Sequence, residues 1–158
     1  MEKLRSQQNL ALALGVERVR IQSVSVQPLE DPTVKVAFCT TALRCPTVYM
    51  ALIIIIAWTW KRRDAITWHV VDSSEDMELT NTLIDVLESA IRCGHLKLDR
   101  SSELKYWHAC IAKNTAHTGA DEPYHVLCHV DGDNLPTLGF VEQCLQIAQR
   151  IKKHEVAC

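Results

Sequence analysis

The sequence predicts an α/β fold, a mainly parallel sheet sandwiched by helices. Three observations carry that reading. From residue 33 onward, short apolar runs suited to strands alternate four times with segments of helical period. One run, Val126-Leu127-Cys128-His129-Val130, is mostly unbroken in its apolar character, as a strand buried on both faces of a parallel sheet should be. Three of the four runs end in polar groups: Thr40-Thr41, Asp72-Ser73-Ser74 and Asp131-Gly132-Asp133. Right-handed crossovers put the carboxyl ends of such strands along one sheet edge, so these groups are expected to converge.

Residues 1–32 read as an N-terminal extension and residues 33–158 as the domain proper. Leu4, Leu10, Leu12 and Leu14 ahead of Gly15 suggest a marginal amphipathic helix. The broken alternation of Val19, Ile21, Val24 and Val26 suggests an edge strand, and Pro28 and Asp31-Pro32 then punctuate the chain. The first regular strand is expected over residues 34–39. Pro46 fits the first turn of a helix that continues through the very apolar stretch to Trp60. The run Ile53-Ile54-Ile55-Ile56 favours a strand on propensity alone, so this element is ambiguous in type. It is short for a membrane span, which needs about 20 residues, and reads as buried core.

A second strand is expected over residues 65–71. The clearest helix follows, with Leu79, Leu83, Val86, Leu87, Ala90 and Ile91 at helical spacing, acids Glu75, Asp76 and Glu78 at its start and Gly94 closing it. A third strand over 95–98, a helix over 107–118 stopped by Gly119, and the strand over 124–130 come next. Phe140, Val141, Cys144, Leu145, Ala148 and Ile151 form one face of the closing helix.

At 158 residues the chain is one domain with room for a real core. A net charge of −2 gives no general attraction to nucleic acid or to an anionic membrane. The basic groups Lys61-Arg62-Arg63 and Lys152-Lys153 sit at helix ends, where cations complement the dipole. Seven scattered cysteines without a Cys-x-x-Cys pair argue against a disulfide framework or zinc knuckle. Reduced, mostly buried thiols in a cytoplasmic protein without a secretory signal are the expectation.

Asp131 and Asp133 are two hard oxygen donors at a strand end, where open α/β sheets bind ligands. Such a pair can hold Mn²⁺ or Mg²⁺, which in turn holds a diphosphate. Alone, Asp-Gly is more commonly a solvated turn. A calcium loop fails, because Pro136 stands where that loop needs glycine. Asp72 could equally cap the following helix, with Ser73 and Ser74 as competing caps. Asn114 shares a helical stripe with Trp107, Cys110 and Ile111, where a buried amide would need a partner. The histidines, including His125 and His129, match no zinc pattern and read as structural or exposed.

The segments Phe38-Cys39-Thr40-Thr41, Val70-Val71-Asp72-Ser73-Ser74, Ala112-Lys113-Asn114-Thr115-Ala116-His117 and Val130-Asp131-Gly132-Asp133-Asn134 together resemble the donor-binding half of GT-A-type, family-2-like glycosyltransferases. The resemblance covers roughly residues 34–151. It implies a Rossmann-like sheet and a nucleotide-diphosphate sugar as ligand. By similarity, Thr40 and Thr41 would line the nucleotide pocket, Asp72 would contact the base, and Lys113 and Asn114 would hold the nucleotide or diphosphate. Asp131 would face the ribose and, with Asp133, the Mn²⁺ or Mg²⁺. The family's acceptor-binding half and its general base have no counterpart in these residues. A partner chain supplying that half, or an inactive α/β binding domain, is the alternative expectation.

Overall fold

A computed structural model describes residues 29–43, 46–75, 77–101, 108–120 and 123–155. The helix and edge strand expected before Pro28 lie outside the described residues.

The elements follow in the order β1 (Val36–Ala42), α1 (Pro46–Thr59), a 3₁₀ turn (Trp60–Arg62), β2 (Ile66–Asp72), α2 (Glu78–Arg92), β3 (Leu96–Arg100), α3 (Ala109–Thr118), β4 (Val126–His129) and α4 (Leu138–Glu155). The sheet order is β3-β2-β1-β4 and every pairing is parallel. The expected fold class is therefore the observed one. Strand order runs outward from β1 to β3 and then returns to place β4 on the other side of β1. The boundary between β1 and β4 is the topological switch point, above which doubly wound sheets hold their ligands.

The two faces of the sheet are covered unequally. Val36, Phe38, Ala42, Ile66, Trp68, Val70 and Leu96 point to one face, where α1, α2 and α4 close the main core. Phe38 and Trp68 stack there with centroids 4.7 Å apart. Cys39 and Val71 point to the other face and meet Ala116 of α3. Alternation of side chains along each strand makes this division.

Helix α1 resolves the ambiguity of the isoleucine run. Val48, Leu52, Ile55 and Ile56 are buried against the main core, while Ile53 and Trp58 pack half-buried beside it. Burial of each such side chain is worth about 1.5–3 kcal/mol, well above the few tenths by which a β-branched residue disfavours a helix. Tertiary burial wins over propensity. Gly94 ends α2 at φ +77°, a left-handed position that a side chain would strain.

The basic clusters do more than face helix dipoles. Arg62 grips Glu142 of α4 bidentately, at 3.0 and 2.7 Å, and Arg63 lies over the Trp60 ring. Lys152 pairs with Asp31 at 2.8 Å, and Leu29 packs on the main core, so residues 29–33 belong to the domain's surface. Among the described residues no helix is long and apolar enough to cross a membrane. The described thiols are free, but Cys93 and Cys110 are exposed rather than buried. Burial pushes the Cys39 thiol up to about 11 and, with Cys144 3.7 Å away, the Cys128 thiol up to about 12.

Candidate functional site

The register of β1 explains the site. Pairing of β4 with β1 stops at Cys39↔His129, whereas β2 continues alongside β1 as far as Ala42↔Asp72. Val130 N–H still donates to Cys39 O at 2.9 Å. Beyond it the chain turns over the tail of β1, which β4 leaves unpaired on that side. Asn134 N–H closes that turn on Asp131 O at 2.9 Å. A Cβ on Gly132 would stand 2.7 Å from the Thr41 carbonyl oxygen, 3.2 Å from Val48 and 3.4 Å from Thr40 Oγ1. Only glycine permits that approach, so Gly132 seats the two aspartates on the end of β1, beside the first turn of α1.

Thr40 and Thr41 are thus brought to the Asp131-Gly132-Asp133 turn, as the sequence led one to expect. Thr40 is 1% exposed, and its hydroxyl has no hydrogen-bond partner among the described residues. Lys113 joins them from α3, with Nζ 2.8 Å from Asp131 Oδ1. That hydrogen bond, more than any other influence, holds the Asp131 carboxyl below the usual carboxylate range. Asp133 is exposed in the same turn.

Two histidines extend this cluster. His129 Nε2 stands 3.3 Å from Asp131 Oδ1, and His129 Nδ1 stands 3.2 Å from His117 Nε2, the rings meeting edge to face. Burial, followed by the charges of Lys113 and His117, holds His129 below the ordinary histidine range. The expectation of structural or exposed histidines overlooked this pairing. The signal was present in two spacings. Lys113 and His117 are four apart on a helix, and His129 and Asp131 are two apart at a strand end, so each pair shares a side. His125 is separate: its Nδ1 accepts Lys35 N–H at 3.1 Å.

No protein family, curated protein or solved structure matches the chain. The site is therefore read from its own chemistry.

Asp72 lies at the same sheet edge but is turned to the opposite face from the Lys113–Asp131 contact. Alternation puts it on the face covered by α1 and α2, whereas the Lys113–Asp131 contact lies on the side of α3. Its side chain is fully buried. Oδ1 accepts Ser74 N–H at 2.9 Å, and Oδ2 accepts the Thr80 hydroxyl at 2.6 Å with Arg100 Nε 3.9 Å away. These contacts fasten the turn into α2, the helix-start role weighed against base contact. A base touching Asp72 would have to displace them.

Asn114 differs from its expected setting. Cys110, Ile111 and Asn114 are exposed, and the buried face of α3 is Ala112 with Ala116. The Asn114 amide, being exposed, needs no buried partner.

The donors present suit a hard cation held jointly with a phosphorylated ligand. Asp131 is kept ionised, Asp133 is accessible, and the orphaned Thr40 hydroxyl adjoins them. Among the described residues no third histidine, cysteine or acid completes a metal cage. Mg²⁺-type sites commonly use one or two carboxylates and take their remaining ligands from water and phosphate.

Proposed function

We propose that the crevice over β1 and β4 binds a nucleotide-diphosphate sugar, with Mn²⁺ or Mg²⁺ held by Asp131 and Asp133, as the donor half of a glycosyl transfer. One observation carries the reading: Gly132 presses the aspartate turn onto Thr40 and Thr41 at the switch point of the sheet. Lys113 supports it by bringing a cation from α3 to the same turn. When bound, the metal supplies charge neutralisation on the departing diphosphate. Lys113 adds a second positive charge, while the Thr40 hydroxyl, buried under Gly132, lies in the floor of the crevice. Asn114, exposed one residue on, remains available to the ligand.

A binding domain without transfer is the second reading. The commitment of Asp72 to the fold favours it, because that removes one donor contact expected from the resemblance.

Calorimetric titration of UDP and of GDP, with and without Mn²⁺, tests the proposal. Binding is expected to depend on Mn²⁺ and to weaken at least tenfold in Asp133→Ala. Absence of binding for both nucleotides, with and without metal, overturns it. Release of free sugar from a nucleotide-diphosphate sugar then separates transfer or hydrolysis from binding alone.

A further inference from the structure

We propose that His117 and His129 form a second cation site, for a borderline transition metal of the Zn²⁺ class. It is distinct from the aspartate site for a hard cation. Two ring nitrogens at typical zinc–nitrogen lengths of about 2.0–2.1 Å, separated by a tetrahedral angle, lie about 3.3 Å apart. His117 Nε2 and His129 Nδ1 are 3.2 Å apart.

The second support is on the far side of the His129 ring. A metal-bound histidine characteristically turns its other nitrogen to a carboxylate, which fixes the tautomer and makes the ligand nitrogen more basic. Here Asp131 Oδ1 lies 3.3 Å from His129 Nε2, a buried nitrogen with no hydrogen-bond partner among the described residues, so the carboxylate is near enough to take that role when Nδ1 holds a metal. Lys113 holds the same carboxylate oxygen at 2.8 Å and so fixes the carboxylate in turn.

The third support is rigidity. His129 is the last residue of β4, and His117 lies in the last turn of α3, which packs on β1, β2 and β4. The two nitrogens are juxtaposed by packed elements rather than by a loop. Among the described residues no further histidine, cysteine or acid joins them. The remaining coordination positions therefore fall to water or to a bound ligand's oxygen, so the site is open and holds one protein ligand fewer than the usual catalytic zinc. Imidazole favours Zn²⁺, whereas Mg²⁺ and Mn²⁺ favour oxygen, so the two cations sort between the sites.

A proton shared between the rings would give the same separation, and the experiment distinguishes the two. Zn²⁺ is titrated into the full chain without nucleotide, while imidazole ¹⁵N resonances are followed in the wild-type protein. One equivalent is expected to shift His117 Nε2 and His129 Nδ1. By calorimetry, in a background where exposed Cys93 and Cys110 are serine, His117→Gln and His129→Gln are each expected to weaken Zn²⁺ binding at least tenfold. Asp131→Asn is expected to weaken it about 10–100-fold, the usual cost of losing such a supporting carboxylate. Unmoved imidazole resonances on Zn²⁺ addition overturn the proposal, and that measurement needs no variant to fold. Because nucleotide is absent, failure here leaves the donor-binding reading standing, and failure of UDP or GDP binding leaves this one standing.

Discussion

At the scale of single residues, the best-defined polar group lies at the end of the sheet opposite the crevice. Trp68 Nε1–H donates to Thr59 Oγ1 at 3.0 Å, His95 Nε2 is 3.1 Å from the same oxygen, and His95 Nδ1 is 2.8 Å from Ile66 O. Thr59 also reaches back to Ile55 O at 2.8 Å. All three side chains are buried, so removing the shared oxygen strands an indole N–H in the core. Thr59→Val keeps the shape and is expected to cost about 1–3 kcal/mol in urea denaturation. Burial, ahead of any other cause, lowers the His95 pKa from the ordinary value. The unfolded chain therefore takes up a proton near pH 6.5 that the folded His95 still refuses. Below about pH 6.5 the unfolded state binds more protons, and stability falls as pH falls until the folded pKa is reached. His129 is shifted the same way and adds to the slope. The urea midpoint is expected to drop as the pH is lowered from about 7.5 to about 5.5. His95→Asn, which cannot titrate, should flatten the drop; an unchanged slope would remove His95 as its source.

At the scale of elements, α3 is the informative helix because, among the described residues, it is the helix that covers the second face. It does so with Ala112 and Ala116, both fully buried, while Ile111 remains 48% exposed. Its C-terminal turn meets the sheet at Gly119, where a Cβ would stand 2.5 Å from His69 Cε1. That ring cannot yield easily. His69 Nδ1 is 2.6 Å from Ala116 O, and Nε2 is 2.8 Å from Asp99 Oδ2. Gly119→Ala is therefore expected to destabilise by about 1–3 kcal/mol as an overpacking change, read as a lower urea midpoint. Stability equal to wild type would mean that α3 can shift away from the sheet. This helix also marks where sequence reasoning fails. Hydropathy weights isoleucine as core, yet close approach of a helix to a sheet selects alanine. The alternation of strands and helices was legible because β1, β2 and β4 carry apolar runs and α2 has a helical stripe. Meeting of the β1 tail, Thr40 and Thr41, with the Asp131-Gly132-Asp133 turn was legible because parallel strands share one carboxyl edge. Which face Asp72 turns to was not. That depends on its register opposite Ala42 and on Thr80, one turn into the next helix. The pairing of His117 with His129 was hidden for a similar reason, since it needs α3 seated on β4.

At the scale of the whole molecule, a carboxylate that serves the fold and one that serves a ligand should separate by linkage. A ligand binding only the native state adds about 2.7 kcal/mol at one hundred times its dissociation constant. For a domain of this size that corresponds to a rise of about 5–10 °C in the melting temperature. On the proposed function, UDP or GDP with Mn²⁺ should produce such a rise in the wild-type protein. Asp133→Ala should melt close to wild type without ligand, because its side chain is exposed, and should lose the metal-dependent increment. Lys113→Ala should lower the increment for nucleotide both with and without Mn²⁺, since its charge acts directly on phosphate. Asp72→Asn should behave in the opposite sense. Its carboxylate is fully buried and bonded to Ser74 N–H and the Thr80 hydroxyl, so the variant should melt lower by a few degrees. Its ligand-induced rise should remain. A lost increment in Asp72→Asn with an unchanged unliganded melting point would return Asp72 to the ligand and overturn its assignment to the turn into α2.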